Sequence, residues 1–439
     1  MVLFTKQEAL DYHSKVRPGK LEVMPVKPYR DQKDLSLAYS PGVAEACMAI
    51  HADEEDVYKY TGKGNLVGVI SNGTAVLGLG DIGPAGSKPV MEGKGLLFKI
   101  FADVDVFDIE LNVKDPQKFC ETVQAMEPTF GGINLEDIKS PECFYIEDYL
   151  KKHMNIPVFH DDQHGTAIIS AAGMINAVEI AGKNMADCRI VISGAGAAAI
   201  SCARLYISMG ADPEKIAMFD SKGHINTKRE GLNAQKQEFA TEQCYGSLEE
   251  AMVGADAFLG LSTAGVVTQS MVKSMTDTAP IIFACANPNP EISYDDAKKA
   301  RPDCIMGTGR SDFPNQINNV LGFPFIFRGA LDVRASAITE GMKVAAAKAL
   351  AALAKEDVPE YVLQAYHQTH LSFGPDYILP KALDLRLMEW VSSAVAEAAI
   401  QEGVAQKVIT DFDAYRKELG VRIVNAHKRI GGLLEFYGV

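Results

Sequence analysis

The sequence predicts an α/β protein: a doubly wound, Rossmann-type unit, a smaller α/β domain before it, and C-terminal helices after it. Three observations predict this. From about residue 165, apolar β-type runs alternate with Ala-rich helical runs, as in CRIVISGAG (188–196), AAAISCARLYISMG (197–210) and KIAMFD (215–220); that alternation is the signature of βαβ units on a parallel sheet. Ahead of it, Gly-rich apolar stretches at 66–70 and 75–79 read as strands among mixed helical segments. Beyond about residue 336, residues 338–357 and 389–405 carry apolar side chains at helical spacing. The division that follows is 1–160, 161–385 and 386–439.

Composition narrows the function classes. A chain of 439 residues with 47% hydrophobic and 23% charged residues is globular and builds its core without covalent staples. A net charge of −14 argues against nucleic acid or an anionic membrane surface as partner. No apolar run is long enough to span a bilayer and the N-terminus has no signal-like segment, so the expected location is cytoplasmic. The eight cysteines are scattered without a CxxC pair, and buried reduced thiols are expected.

In the first region, Tyr39 precedes a Ser-Pro turn in SLAYSPGVA. A tyrosine there either packs with a satisfied hydroxyl or serves chemistry, and both readings stand. Lys94 lies between glycines in PVMEGKGLLFK, ahead of an apolar run. It is either a surface lysine or a buried one whose pKa burial lowers toward that of a general base.

Three acidic pairs stand out: Asp103/Asp105, Glu136-Asp137 and Asp161-Asp162. The second follows a Gly turn and a short apolar run, and the third sits between a strand end and a new helix. Carboxylates at two strand ends either are solvated or converge on a hard cation, Mg²⁺ or Mn²⁺. His160 and His164 flank the third pair, where hydrogen bonding is favoured over metal ligation.

In the second region, Val191–Ser193 runs into Gly194-Ala195-Gly196-Ala197-Ala198-Ala199. This is a Gly-x-Gly-x-x-Ala turn opening a helix, where Gly194 allows the tight turn, Gly196 the approach of a pyrophosphate, and Ala199 close helix–strand packing. A second strand ends at Asp220, 24 residues beyond Gly196 and at the offset of a ribose-binding acid. Asp220 repels a 2′-phosphate, yet Lys222, Lys228 and Arg229 lie close enough to offset that, so NAD and NADP both remain open. In the third region, Ser336, Thr339 and Glu340 are candidates to cap the first helix.

These segments together resemble the malic enzyme family. The likeness rests on AYSPGVA, NGTAVLGLGDIGPAG, VMEGKGLLFK, NLED, PVFHDDQHGTA, SGAGAAA, FACANPNPEI and QINNVLGFPFIFRGALD, in that order, from about residue 20 to about 330. The resemblance implies roles. Tyr39 matches the proton donor and Lys94 the general base. Glu136, Asp137 and Asp162 match the metal ligands, and Asp161 a second acid beside the lysine. Asn287 and Asn319 match asparagines that contact substrate or the nicotinamide end of the cofactor. Larger relatives hold the substrate carboxylate with an arginine where this chain has Ala75, so the likeness is to the shorter bacterial branch. The tail stretches LSFGPDYILPKALDLRL and ITDFDAYRKEL resemble the hybrid branch, in which a phosphotransacetylase-like domain follows and which favours NADP.

The implied activity is oxidative decarboxylation of (S)-malate to pyruvate and CO₂, with NADP (or NAD) and Mg²⁺ or Mn²⁺, by a homodimer or larger oligomer that has no nucleic-acid or membrane partner. The rival readings are malolactic decarboxylation on the same scaffold and a metal-free amino acid dehydrogenase, which needs no Glu136/Asp137/Asp162 set.

Overall fold

A computed structural model describes residues 4–287, 289–310 and 312–437; Pro288, within the FACANPNPEI stretch, lies outside them. Three N-terminal helices, α1 (Lys6–Ser14), α2 (Gln32–Ala38) and α3 (Val43–Ala52), contain no buried residue.

A four-stranded parallel sheet follows in the order β2-β1-β3-β4, with β1 at Leu66–Ser71, β2 at Asp105–Glu110, β3 at Gly132–Leu135 and β4 at Val158–His160. Helices α4 (Gly83–Ala102), α5 (Pro116–Ala125) and α6 (Glu142–His153) connect its strands. Every residue of β3 and β4 is buried, as expected of parallel strands covered on both faces.

Helix α7 (Asp161–Ile180) leads into a six-stranded sheet ordered β10-β9-β8-β5-β6-β7. Its strands are β5 (Ile190–Ser193), β6 (Ile216–Asp220), β7 (Gly223–His224), β8 (Ala257–Gly260), β9 (Ile281–Ala284) and β10 (Ile305–Thr308), all parallel except the β6/β7 pair. From β5 the chain winds one way through β6 and the other way through β8, β9 and β10. The switch therefore lies between β5 and β8, and a crevice opens at their carboxyl ends. Helix α8 (Ala197–Ser208) starts there.

Beyond the second sheet come four long helices: α9 (Phe323–Asp332), α10 (Glu340–Leu353), α11 (Arg386–Gln401) and α12 (Phe412–Tyr437). Helix α7 is small-residue-rich and buried nearly all round, between α8 and α10; α11 packs on α9 and α10, and α12 on α11 and α4. Thr339 caps α10 by accepting from the Met342 amide, whereas the Ser336 hydroxyl bonds Val404 O instead.

One expectation changes here. Residues 75–79 are not a strand. They form a turn closed by a Val76–Gly80 bridge, with Leu77 at φ 47° and Leu77 and Leu79 exposed; a left-handed backbone at Leu77 lies outside the β region and breaks any strand there. Asp103 takes Lys99, Arg422 and Arg429, so it ties α12 to the end of α4. Six of the eight cysteines are buried and two, Cys47 and Cys244, are exposed; all are unpaired.

Candidate active site

Strands β3 and β4 are parallel neighbours with Leu135 opposite His160. The residues after each strand end therefore emerge side by side, which brings Glu136-Asp137 against Asp161-Asp162. Ligand oxygens of Glu136, Asp137 and Asp162 lie within 4.8 Å of one another. Glu136 Oε2 accepts from Asn134 Nδ2 at 2.9 Å, and Asp162 Oδ2 accepts from the Asp137 amide at 2.7 Å. Asp137 holds a left-handed backbone, φ 54°, which aspartate tolerates better than most residues. The turn at 75–79 covers this corner, with the Ala75 amide donating to Asp137 O at 3.0 Å.

Three carboxylates this close repel one another. Burial, outweighing the pull of Lys94, leaves Glu136 well above the usual range, and burial with the Asp162 charge pushes Asp137 up to about 7. Asp137 Oδ2 is buried without a hydrogen-bond partner. An orphaned carboxylate oxygen beside two other acidic ligands fits a hard divalent cation, which supplies the missing charge and coordination.

Lys94 reaches the cluster from α4. Phe98, one turn along on the same face, packs edge-on against Phe323 at 4.7 Å and Phe327 at 5.3 Å. That contact with α9 sets the helix so that Lys94 Nζ lies 2.6 Å from Asp161 Oδ2, 3.0 Å from Glu136 Oε1 and 4.2 Å above the Phe323 ring. Burial opposes charge on this amine, as expected. Asp161 and Glu136 outweigh burial, however, and hold Lys94 well above the ordinary lysine range, so the expected downward shift is reversed.

Asn319 Nδ2 donates to Asp161 Oδ2 at 3.1 Å, and Thr166 Oγ1 donates to Asn319 Oδ1 at 3.1 Å. Gly165 makes this approach possible: a Cβ there would stand 2.2 Å from Asp161 Oδ1 and 2.7 Å from the Asn319 amide carbon. His164 is a hydrogen-bonding residue, 2.8 Å from Glu147, and burial pushes it down to about 3, so the ring is neutral. His160 is fully buried with neither ring nitrogen hydrogen-bonded.

At the crevice of the second sheet, Gly194 has φ 118° and a Cβ would stand 2.5 Å from Leu261 O, so only glycine fits. Nothing lies within 4 Å of a Cβ at Gly196, which leaves backbone open beside the N-terminus of α8, while Ala199 is buried. Asp220 ends β6 as expected, but its carboxylate is occupied. Arg229 donates to both oxygens at 2.8 and 3.0 Å, Lys236 Nζ to Oδ2 at 2.8 Å, and the Lys222 amide to Oδ1 at 2.9 Å. Burial alone would raise Asp220, but these cations hold it far below the usual range. Asn287, exposed after β9, flanks Gly309 at the end of β10.

Residues 18–151 match the malic enzyme N-terminal domain and residues 163–366 the malic enzyme NAD binding domain. An NADP-dependent malic enzyme of Halomonas elongata is 58% identical over 92% of this chain and 95% of its own. The chain belongs to the malic enzyme family. An NADP-dependent malic enzyme of Escherichia coli is 57% identical over 94% of this chain, which spans 55% of that relative's length. The crystal structure of a Pyrococcus horikoshii malic enzyme superposes with a TM-score of 0.90 at 39% identity, covering 98% of this chain and 99% of that one.

Against this malic enzyme frame, Lys94, Glu136, Asp137, Asp161, Asp162 and Asn319 come together, and Gly194 to Ala198 line the crevice. Tyr39 does not join them within the chain: it is 77% exposed at the end of α2. Sequence reasoning passed over Glu291, fully buried, which accepts from the Ser262 amide at 2.8 Å and the Ala286 amide at 3.1 Å and so ties the loops after β8 and β9. It lies in the quoted FACANPNPEI stretch, but a lone glutamate there carries no spacing signal. Lys236 was missed because it is 16 residues from its partner Asp220.

Proposed function

We propose that this chain oxidises (S)-malate and decarboxylates the product to pyruvate and CO₂, with NADP as preferred oxidant and Mg²⁺ or Mn²⁺ as required cation. The observation that carries this reading is the Glu136/Asp137/Asp162 cluster beside the buried Lys94–Asp161 pair. Residues 1–160 would supply the lysine and two cation ligands. Residues 161–385 would supply Asp162, the asparagines and the nucleotide crevice, and residues 386–439 would brace the two.

Those three carboxylates would hold a cation, which would supply Lewis acidity to the C2 hydroxyl of malate. The crevice at Gly194 to Ala198 would hold a nicotinamide nucleotide, which would supply the hydride acceptor for C2. Lys94 Nζ takes the C2 hydroxyl proton. A cation at Glu136 and Asp162 would offset part of the charge that holds the amine protonated, and Asp161, which contributes the largest part, would orient the amine. Asn319, bonded to Asp161, would face the substrate, and Asn287 the nicotinamide end. Tyr39 would return a proton to C3.

NADP preference follows from the end of β6. Four donors already fill the acceptor positions of Asp220, so its role would be to aim Arg229 and Lys236 at a 2′-phosphate rather than to bind ribose itself.

Exposed Val23, Met24, Val26, Tyr29, Leu35 and Leu37 on the N-terminal stretch support a homodimer or larger, because so many apolar side chains on one segment exceed what a free surface carries. Assembly would also cover Tyr39.

The test is nicotinamide reduction with malate, run with NADP and with NAD, with Mn²⁺ and after chelation. Chelator-sensitive reduction, faster with NADP, is expected. Reduction that survives chelation would sink the reading in favour of a metal-free dehydrogenase, and malate loss without net reduction would favour the malolactic one.

A further inference from the structure

The first turn of α7 carries both Asp161 and Asp162, and that turn is gripped from a side away from the cluster. His164 Nε2 lies 2.8 and 3.0 Å from the two oxygens of Glu147 on α6. Its Nδ1 lies 3.1 Å from Lys343 Nζ on α10. Glu147 Oε1 also accepts from the His160 amide at 3.3 Å and pairs with Lys151 at 2.6 Å. Burial lowers the Lys343 amine below the ordinary lysine range, while Glu340 Oε2, 3.1 Å from Nζ, supports its charged form, and an ammonium only donates. His164 therefore accepts at Nδ1 and donates at Nε2, in a single tautomer, and the chain Lys343–His164–Glu147 has one direction.

Three elements meet here, and the side chains are nearly closed to solvent: Glu147 is 7%, His164 12% and Lys343 8% exposed. Yet a cavity of ≈ 350 Å³, lined in part by these three and by Ser201, adjoins them. On the side that faces this cavity, directional hydrogen bonds hold the turn. The Glu147 oxygen that takes His164 also takes the backbone of His160, so one carboxylate spans the junction from β4 into α7.

We propose that Glu147, with His164 and Lys343, is a positioning residue for the cation site: it holds the strand–helix junction so that the Asp161 and Asp162 carboxylates keep their directions. This rests on the cation reading above. None of the three touches the cluster, so the effect is on ligand geometry, where loss of an orienting partner typically weakens metal binding ~10–100-fold.

The test uses Glu147→Gln and Lys343→Met in the full chain. Mn²⁺ affinity is read by electron paramagnetic resonance of the free ion, without malate or nucleotide. NADP affinity, melting temperature and the malate KM at fixed Mn²⁺ are measured alongside. Mn²⁺ binding weakened about tenfold or more is expected in both variants, with a raised malate KM, unchanged NADP affinity and recovery in Glu147→Asp. Should Glu147→Gln lose its fold, Lys343→Met and His164→Gln carry the same test. Wild-type Mn²⁺ affinity in folded variants overturns the proposal alone, whereas a wild-type protein that binds no Mn²⁺ overturns the cation reading with it.

Discussion

Lys94 and Asp161 stand 2.6 Å apart, the lysine from the middle of α4 and the aspartate from the first residue of α7. Asp161 is fully buried, so this is an ion pair whose partners cannot turn to water. Lys94→Ala is expected to lower turnover ~10²–10⁴-fold, the usual contribution of a positioned acid–base group, with NADP affinity kept. Asp161→Asn should act in the same direction by freeing the amine from its partner. Near-wild-type turnover by Lys94→Ala would remove the base assignment.

Cation binding should depend on pH through Asp137. Its carboxyl is raised to about 7 by burial and Asp162, so below that pH a cation must displace a proton. Mn²⁺ affinity is expected to rise from pH 5 through about 7, with proton release seen by calorimetry in two buffers. The same shift has a stability consequence without cation. An unfolded Asp137 ionises near 3.8, so between about 4 and 7 the folded state holds the extra proton and stability falls as pH rises. Added Mn²⁺ should flatten that slope. A melting temperature independent of pH across the window, with and without cation, would count against it.

Arg229→Ala and Lys236→Ala should each weaken NADP selectivity. A hydrogen bond to a charged group contributes roughly 1.5–3 kcal/mol, so kcat/KM with NADP is expected to drop about 10–100-fold while that with NAD changes little. Equal losses with both nucleotides would show that the two cations support the fold of the β6–β7 turn and not the 2′-phosphate.

Gly194→Ala tests the crevice. With φ 118° and a would-be Cβ 2.5 Å from Leu261 O, the methyl group forces β5 from β8 at a cost of about 1–3 kcal/mol. A lower melting temperature and lost NADP binding are expected. Gly196→Ala, with open space around its Cβ, should keep stability and lose only nucleotide affinity.

Much of this was legible along the chain. The strand–turn–helix at 188–210 and the strand ending at Asp220 have local signatures, because period and turn chemistry are encoded within a few residues. Glu136-Asp137 and Asp161-Asp162 were visible as pairs at strand ends. The turn at 75–79 was misread as a strand because Ala75, Val76, Leu77 and Leu79 form an apolar run, a pattern shared by turn and strand until one asks what the side chains bury.

By itself, the sequence determined the α/β class, the nucleotide turn and the list of residues able to hold a cation or move a proton, because each depends on residue type and short spacing. The tertiary structure alone decided which acids converge. Asp103 went to Arg422 and Arg429, while Asp161 went to Lys94, 67 positions away. It also decided that the neighbours of Lys94 favour its charged form when no cation is bound, and that Asp220 faces its own chain's cations. Those outcomes turn on Coulomb energies and burial, which vary with distance in space and are not written in distance along the chain.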